Sequence, residues 1–310
     1  MSRKIGYGIL AALLMLLQSL ALAQSSVLPE VPEGAQAVSL NGEPLYPAEP
    51  SAAVVENLAA ARRDYEADPD DADNIIWLGR RQAYTGDYRG AILTFSEGIA
   101  KHPRDPRLYR HRGHRYISIR EFDRAIVDLE MAASLIEGTE NEIEPDGAPN
   151  PLGIPVSSLH GNIWYHLGLA YYLKQDWENA LRAYTNGYNA SRNDDNRVST
   201  THWRYMILCR MGREADAMAA VADITPNMNI IENMSYHSLD LFYRGDLSFE
   251  ELVGDREDSP AGSAVLYGAA NWLYCQGETD RADDMLESIT STTSWAGFGF
   301  IAAEADLASR

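Results

Sequence analysis

Gly161-Asn162-Ile163-Trp164-Tyr165-His166-Leu167-Gly168-Leu169-Ala170-Tyr171, followed by Asp176-Trp177-Glu178-Asn179-Ala180-Leu181-Arg182-Ala183-Tyr184, is the stretch whose reading decides the fold. Trp164, Leu167, Gly168 and Tyr171 recur at three- and four-residue spacing, which is one face of a helix. Ala180 and Tyr184 repeat that spacing in the second run, and Gly168 and Ala180 place a small residue on each face. The pattern returns on the N-terminal side. Gly79 and Gly113, Ala91 and Ala125, and Pro69 and Pro103 are each 34 residues apart.

The form Trp-x2-Leu-Gly-x2-Tyr followed by Ala-x3-Tyr resembles the tetratricopeptide repeat, a 34-residue helix pair. Full repeats are expected at 72–105, 106–139, 161–194 and 198–231, with shorter pairs at 235–253 and 263–289. A helix capped by Ser51 precedes them. A last helix, with Trp295, Phe298, Ile301, Ala302 and Ala305 on one face and Glu304 and Asp306 on the other, closes the array. The expected fold is all-α: a right-handed superhelical solenoid of about six helix pairs over 51–310, with a capping helix at each end. Residues 140–160, with Pro145, Pro149, Pro151 and Pro155, break the register. They are expected to form either a disordered bulge or a segment lying over the groove, with Leu152-Gly153-Ile154 as its apolar contact.

The chain is 310 residues long, 45% hydrophobic and 23% charged, which is a globular composition. Its net charge of −19 argues against a nucleic-acid partner, which would require clustered cations. Arg3 and Lys4, an apolar run over 5–17 and Ala21-Leu22-Ala23 have the layout of a cleaved secretory leader, 1–23. An uncleaved anchor is the alternative, and would be the only membrane contact. Residues 24–50, with five prolines, read as a tether with a turn at Asn41-Gly42. Export would permit oxidation of Cys209 and Cys275. Their repeats are not adjacent in sequence, so they are expected to stay apart as small core residues.

In the family, the first helix of each pair lines a concave groove that binds peptides or partner proteins. The resemblance places Arg80 and Tyr84, then Arg107, Arg110 and His114, then Asn162, Tyr165 and Tyr172, then His202 in such a groove. The family's clamp for a chaperone C-terminus needs Lys and Asn where this chain has Ile76 and Arg80, so that role does not carry over. The run Tyr243-Arg244-Gly245-Asp246-Leu247-Ser248 is similar to the closing part of bacterial envelope tetratricopeptide adaptors.

Arg107, Arg110 and His114 share a helix face within a basic run that also holds Arg104, His111, Arg112, Arg115 and Arg120. An acidic partner is one reading; pairing of Arg112, Arg115 and Arg120 with Glu121, Asp123 or Asp128 is the other. The aromatic residues divide between groove and core. No zinc, calcium, phosphate-loop, dinucleotide or nucleophile-elbow pattern is present, so no metal or cofactor is expected. The expected function is an exported, non-enzymatic scaffold that binds an acidic protein segment or peptide in its groove. The alternatives are a cell-wall carbohydrate or peptidoglycan-fragment module, and a helical-toroid hydrolase.

Overall fold

The computed structural model describes residues 27–254 and 259–310; the expected leader lies outside them. The described residues form fourteen α-helices and one two-stranded ribbon. They group into two compact units. One takes in the residues up to Ala37 with Tyr46–Glu137, and the other takes in Val38–Leu45 with Gly138–Arg310.

The first unit contains α1 (Ala52–Ala67), α2 (Ala72–Tyr84), α3 (Tyr88–Lys101), α4 (Pro106–Ser118) and α5 (Phe122–Leu135). Acidic side chains start three of these helices by accepting an N–H that has no partner within the helix: Asp71 from Asn74, Asp87 from Gly90 and Asp105 from Arg107, each at 2.9 Å. Ile75, Ala91, Phe95 and Leu108 close the core between α2, α3 and α4. A Cβ added to Gly79 would lie 2.5 Å from the Phe95 ring, and one on Gly113 would lie 2.7 Å from Leu129. In both pairs the contact falls sixteen residues on, so the missing side chain fixes how closely the two helices approach.

The second unit holds α6 (Leu159–Leu173), α7 (Trp177–Asn189), α8 (Asp194–Arg210), α9 (Glu214–Val221), α10 (Met234–Arg244), α11 (Phe249–Val253), α12 (Pro260–Cys275), α13 (Thr279–Thr290) and α14 (Phe298–Ala308). Gly168 and Tyr184 repeat the sixteen-residue contact between α6 and α7, at 2.6 Å. The spacing within a pair therefore returns after the inserted residues.

Four sequence expectations are corrected. The segment over 27–50 makes defined contacts: Arg89 donates to the Pro29 carbonyl at 2.7 Å and Arg124 to the Val27 carbonyl at 2.9 Å. Strands β1 (Ala37–Val38) and β2 (Pro44–Leu45) pair across a turn in which Gly42 donates to Ser39, and the Leu40 N–H reaches the Glu304 carboxylate. The inserted residues are also folded. Ile143 bridges Ser158, Glu144 N–H donates to the Ser157 carbonyl at 3.0 Å, and Val156 is buried, while Leu152 and Ile154 are exposed. Val156 and these backbone bonds hold the insert in place of the expected Leu152-Gly153-Ile154 contact.

Glu304 and Asp306 are both buried. Asp306 pairs with Arg210 and accepts from the Tyr267 hydroxyl at 3.0 Å. Cys209 and Cys275 form a disulfide with their Cα atoms 6.1 Å apart. The intervening pair is short, with eleven residues in α10 and five in α11. That lets α12 pack against α8 directly and brings the last turns of both helices together.

Candidate functional site

The nine residues proposed from sequence separate into three environments. Arg80, Tyr84, Arg107, Arg110 and His114 lie on α2 and α4, which pack together in the first unit. Arg107 is held by its own acids: it donates to Asp73 at 2.6 Å and to Asp105 at 2.6 Å. Arg80 lies over the Trp77 ring at 4.3 Å, and Arg110 contacts the His111 ring nitrogen at 2.7 Å. His114 is half-buried on the same helix and Tyr84 is exposed.

The basic run resolves residue by residue. Arg112 is buried against Asp128, with two bonds of 2.7 and 2.8 Å, which is the pairing expected for a structural arginine. Arg120 donates to the Ser118 carbonyl at 2.7 Å from a left-handed backbone, φ 67°. Arg115 differs. It is half-buried above the Tyr88 ring at 5.4 Å, and among the described residues no carboxylate pairs with it. Burial, together with repulsion from Arg110 and Arg80, pushes its guanidinium down to about 10. An anion brought to this face would relieve both effects.

Tyr172 and His202 are corrected: neither lines an open surface. Tyr172 is 2% exposed and bonds the Tyr267 hydroxyl of α12 at 2.7 Å. His202 is 1% exposed, stacks on Tyr243 and Tyr236 of α10, and is pushed down to about 3 by burial. Groove positions of the third and fourth repeats are thus filled by the aromatic faces of the fifth and sixth pairs.

Asn162 and Tyr165 do meet open space. They border a cleft of about 260 Å³ in the second unit, with Asn196, Asn233, Tyr236 and Phe298 among its other walls. The insert contributes Ser157 and Ser158. Asn162 donates to the Glu144 carboxylate. Asn196 donates to the Val156 carbonyl at 3.1 Å, and Asn233 to the Asp195 carbonyl at 3.1 Å. Tyr165 accepts from Trp203 at 3.0 Å and shares a 2.6 Å bond with the Tyr236 hydroxyl. Burial raises the pKa of both phenols, so both stay protonated.

Sequence reasoning missed Asn196, Asn233 and Tyr236. Tyr236 is the second residue of the pair at 235–253, so extending the groove positions one repeat further would have found it. Asn196 lies in the first turn of α8, where Asp195 anchors the loop before α10 by accepting N–H groups from Ile231, Glu232 and Asn233 at 2.8 to 3.0 Å.

No family model and no curated protein matches the chain. Solved structures do. A tetratricopeptide repeat protein from Parabacteroides merdae is 16% identical over 83% of this chain and 93% of that one, with a TM-score of 0.47. YrrB, a tetratricopeptide protein with an unusual peptide-binding site, is 14% identical over 74% and 91%, with a TM-score of 0.44. BtubC from P. vanneervenii is 16% identical over 77% and 91%, with a TM-score of 0.39. Likeness at this level carries no argument about ligand or role, and the fold stands on this chain's own register and packing. By those criteria, the Gly-to-ring contacts sixteen residues apart and the repeated Asp-capped helix pairs, the chain has the all-α fold of the tetratricopeptide type.

Proposed function

We propose that the protein is a non-enzymatic binding scaffold whose first unit takes an acidic segment of a partner protein on the face formed by α2 and α4. The observation that carries this reading is Arg115, a half-buried guanidinium with no carboxylate partner among the described residues, set beside two further arginines. Arg recognises carboxylates through paired N–H groups, and a partly desolvated site strengthens that bond. Arg107 is satisfied by Asp73 and Asp105, so it steadies the face instead of recognising the partner.

Export of the chain belongs to the same proposal. The leader-like pattern over 1–23 supports it, and so does the Cys209–Cys275 disulfide, since such bonds persist in oxidising compartments.

The test is titration of the protein with oligoglutamate, neutral and oligolysine peptides of equal length at two salt concentrations. Oligoglutamate is expected to bind best and to weaken with salt. Arg115→Gln is expected to lower that affinity by about tenfold or more, the worth of a charge-assisted hydrogen bond, without lowering the melting temperature. Equal binding of all three peptides, or an unchanged affinity in Arg115→Gln, overturns the reading.

A further inference from the structure

We infer that the cleft of the second unit is a binding site for an uncharged saccharide unit, separate from the acidic-segment face of the first unit. The argument begins with the three asparagines. A side-chain amide could be turned either way, but each of these is fixed by a partner that only accepts: the Glu144 carboxylate for Asn162, the Val156 carbonyl for Asn196 and the Asp195 carbonyl for Asn233. Each NH2 group is therefore committed, and each amide oxygen is turned away from its partner. Among the described residues none of the three oxygens receives a hydrogen bond, and that of Asn196 is buried without a donor. The oxygens of Asn162 and Asn233, which are not buried, are the two that a ligand in the cleft can donate to.

The tyrosine pair adds the complementary group. Trp203 donates to the Tyr165 oxygen, and one phenol donates to the other. Two phenolic protons share one such bond, so whichever way it points, the second proton has no acceptor in the pair. The cleft thus presents the Asn162 and Asn233 oxygens as acceptors and a phenolic proton as donor, among the Ser157, Ser158, Ser199 and Thr200 residues of its wall and beside the Phe298 ring.

Charge narrows the ligand class. No Asp, Glu, Lys or Arg lines the cleft, and His166 in its wall is engaged through Nδ1 by the Asn162 carbonyl. The accessible amide oxygens of Asn162 and Asn233 disfavour an anion. At about 260 Å³ the cleft is smaller than the roughly 300–1,000 Å³ typical of drug-sized ligands and suits one ring-sized unit. Adjacent hydroxyls of a sugar ring each donate one proton and also accept, which suits a wall that mixes amide acceptors with phenol and hydroxyl groups. A peptide stretch of the same size brings only one or two backbone N–H groups.

The experiment is two-dimensional NMR of the side-chain amide signals, with cellobiose, maltose and diacetylchitobiose as probes. Glucosamine, glucuronate and a capped glycine dipeptide amide are the comparisons. At least one neutral disaccharide is expected to shift the Asn162, Asn196 and Asn233 signals saturably, ahead of every comparison compound. Asn162→Ala is expected to weaken that binding by about three- to tenfold, the worth of one net hydrogen bond, with folding checked by its melting curve. Asn233→Ala supplies the same test if Asn162→Ala does not fold. The inference is overturned if no neutral disaccharide gives a saturable shift, if the folded variant binds as the parent does, or if the capped dipeptide binds better. Oligoglutamate titration through Arg115 is a separate readout, so failure of one reading is distinguishable from failure of the other.

Discussion

Asp240 on α10 has no exposed surface, and neither of its carboxylate oxygens has a hydrogen-bond partner among the described residues. Burial alone raises its pKa well above the usual carboxylate range. Such a group is protonated when folded and ionised when unfolded. Its contribution is fully present below the unfolded pKa and is lost as pH rises toward the folded one. Asp240→Asn removes that penalty and keeps the shape. The variant is expected to melt with the parent in acid and increasingly above it as pH rises to neutrality, as followed by thermal unfolding across pH. Arg112 and Asp128 are the opposite case, a buried pair bonded twice. Asp128→Ala leaves an uncompensated guanidinium and is expected to cost about 3–5 kcal/mol in chemical denaturation. Converting both to apolar residues of similar volume should recover most of that loss, because the pair's desolvation cost disappears with it.

At the scale of the helix pair, two positions recur and can be set against each other. The first is the close-approach glycine. Gly168→Ala places a methyl 2.6 Å from the Tyr184 ring and is expected to cost about 1–3 kcal/mol by overpacking. The second is the residue that turns the chain between helices, which is left-handed at Gly86, Gly212, Gly245 and Gly277 and at two non-glycines, Arg120 and Gln175. Gln175→Gly is expected to raise stability by about 0.5–1 kcal/mol, since an L side chain is strained at φ 58°. Urea unfolding of both variants checks the opposite signs. These positions explain why the pairs were legible in the sequence, since contacts within a pair sit at a fixed offset. Contacts between distant pairs have no such offset. Hence the sequence placed Tyr172 and His202 on an open groove, where α12 and α10 supply Tyr267 and Tyr243 to cover them. The candidate cleft was legible only through Asn162 and Tyr165, because Asn196 and Asn233 sit at the starts of α8 and α10 and take their partners from the insert and from α8.

Across the whole chain, what escaped the sequence reading was how far the last helix pairs fold back within the second unit. Counting repeats places Cys209 and Cys275 two pairs apart, and full-length pairs at that separation would not touch. The five-residue α11 removes the spacer, and the Arg210–Asp306 pair, with Asn271 also accepting from Arg210, occupies the same junction of α8, α12 and α14. The disulfide therefore ties together helices that already pack, and its contribution should arise mainly from the unfolded chain. Its residues are 66 apart in sequence, and closing a loop of that length contributes about 4 kcal/mol in the chain-entropy model. Replacing both cysteines with alanine is expected to leave the circular dichroism spectrum of the folded protein unchanged while lowering the unfolding free energy by about that amount. Reduction of the parent should produce the same loss and leave the double variant unaffected. A double variant as stable as the oxidised parent would mean that the α8–α12 packing and the Arg210–Asp306 pair hold this junction without the bridge.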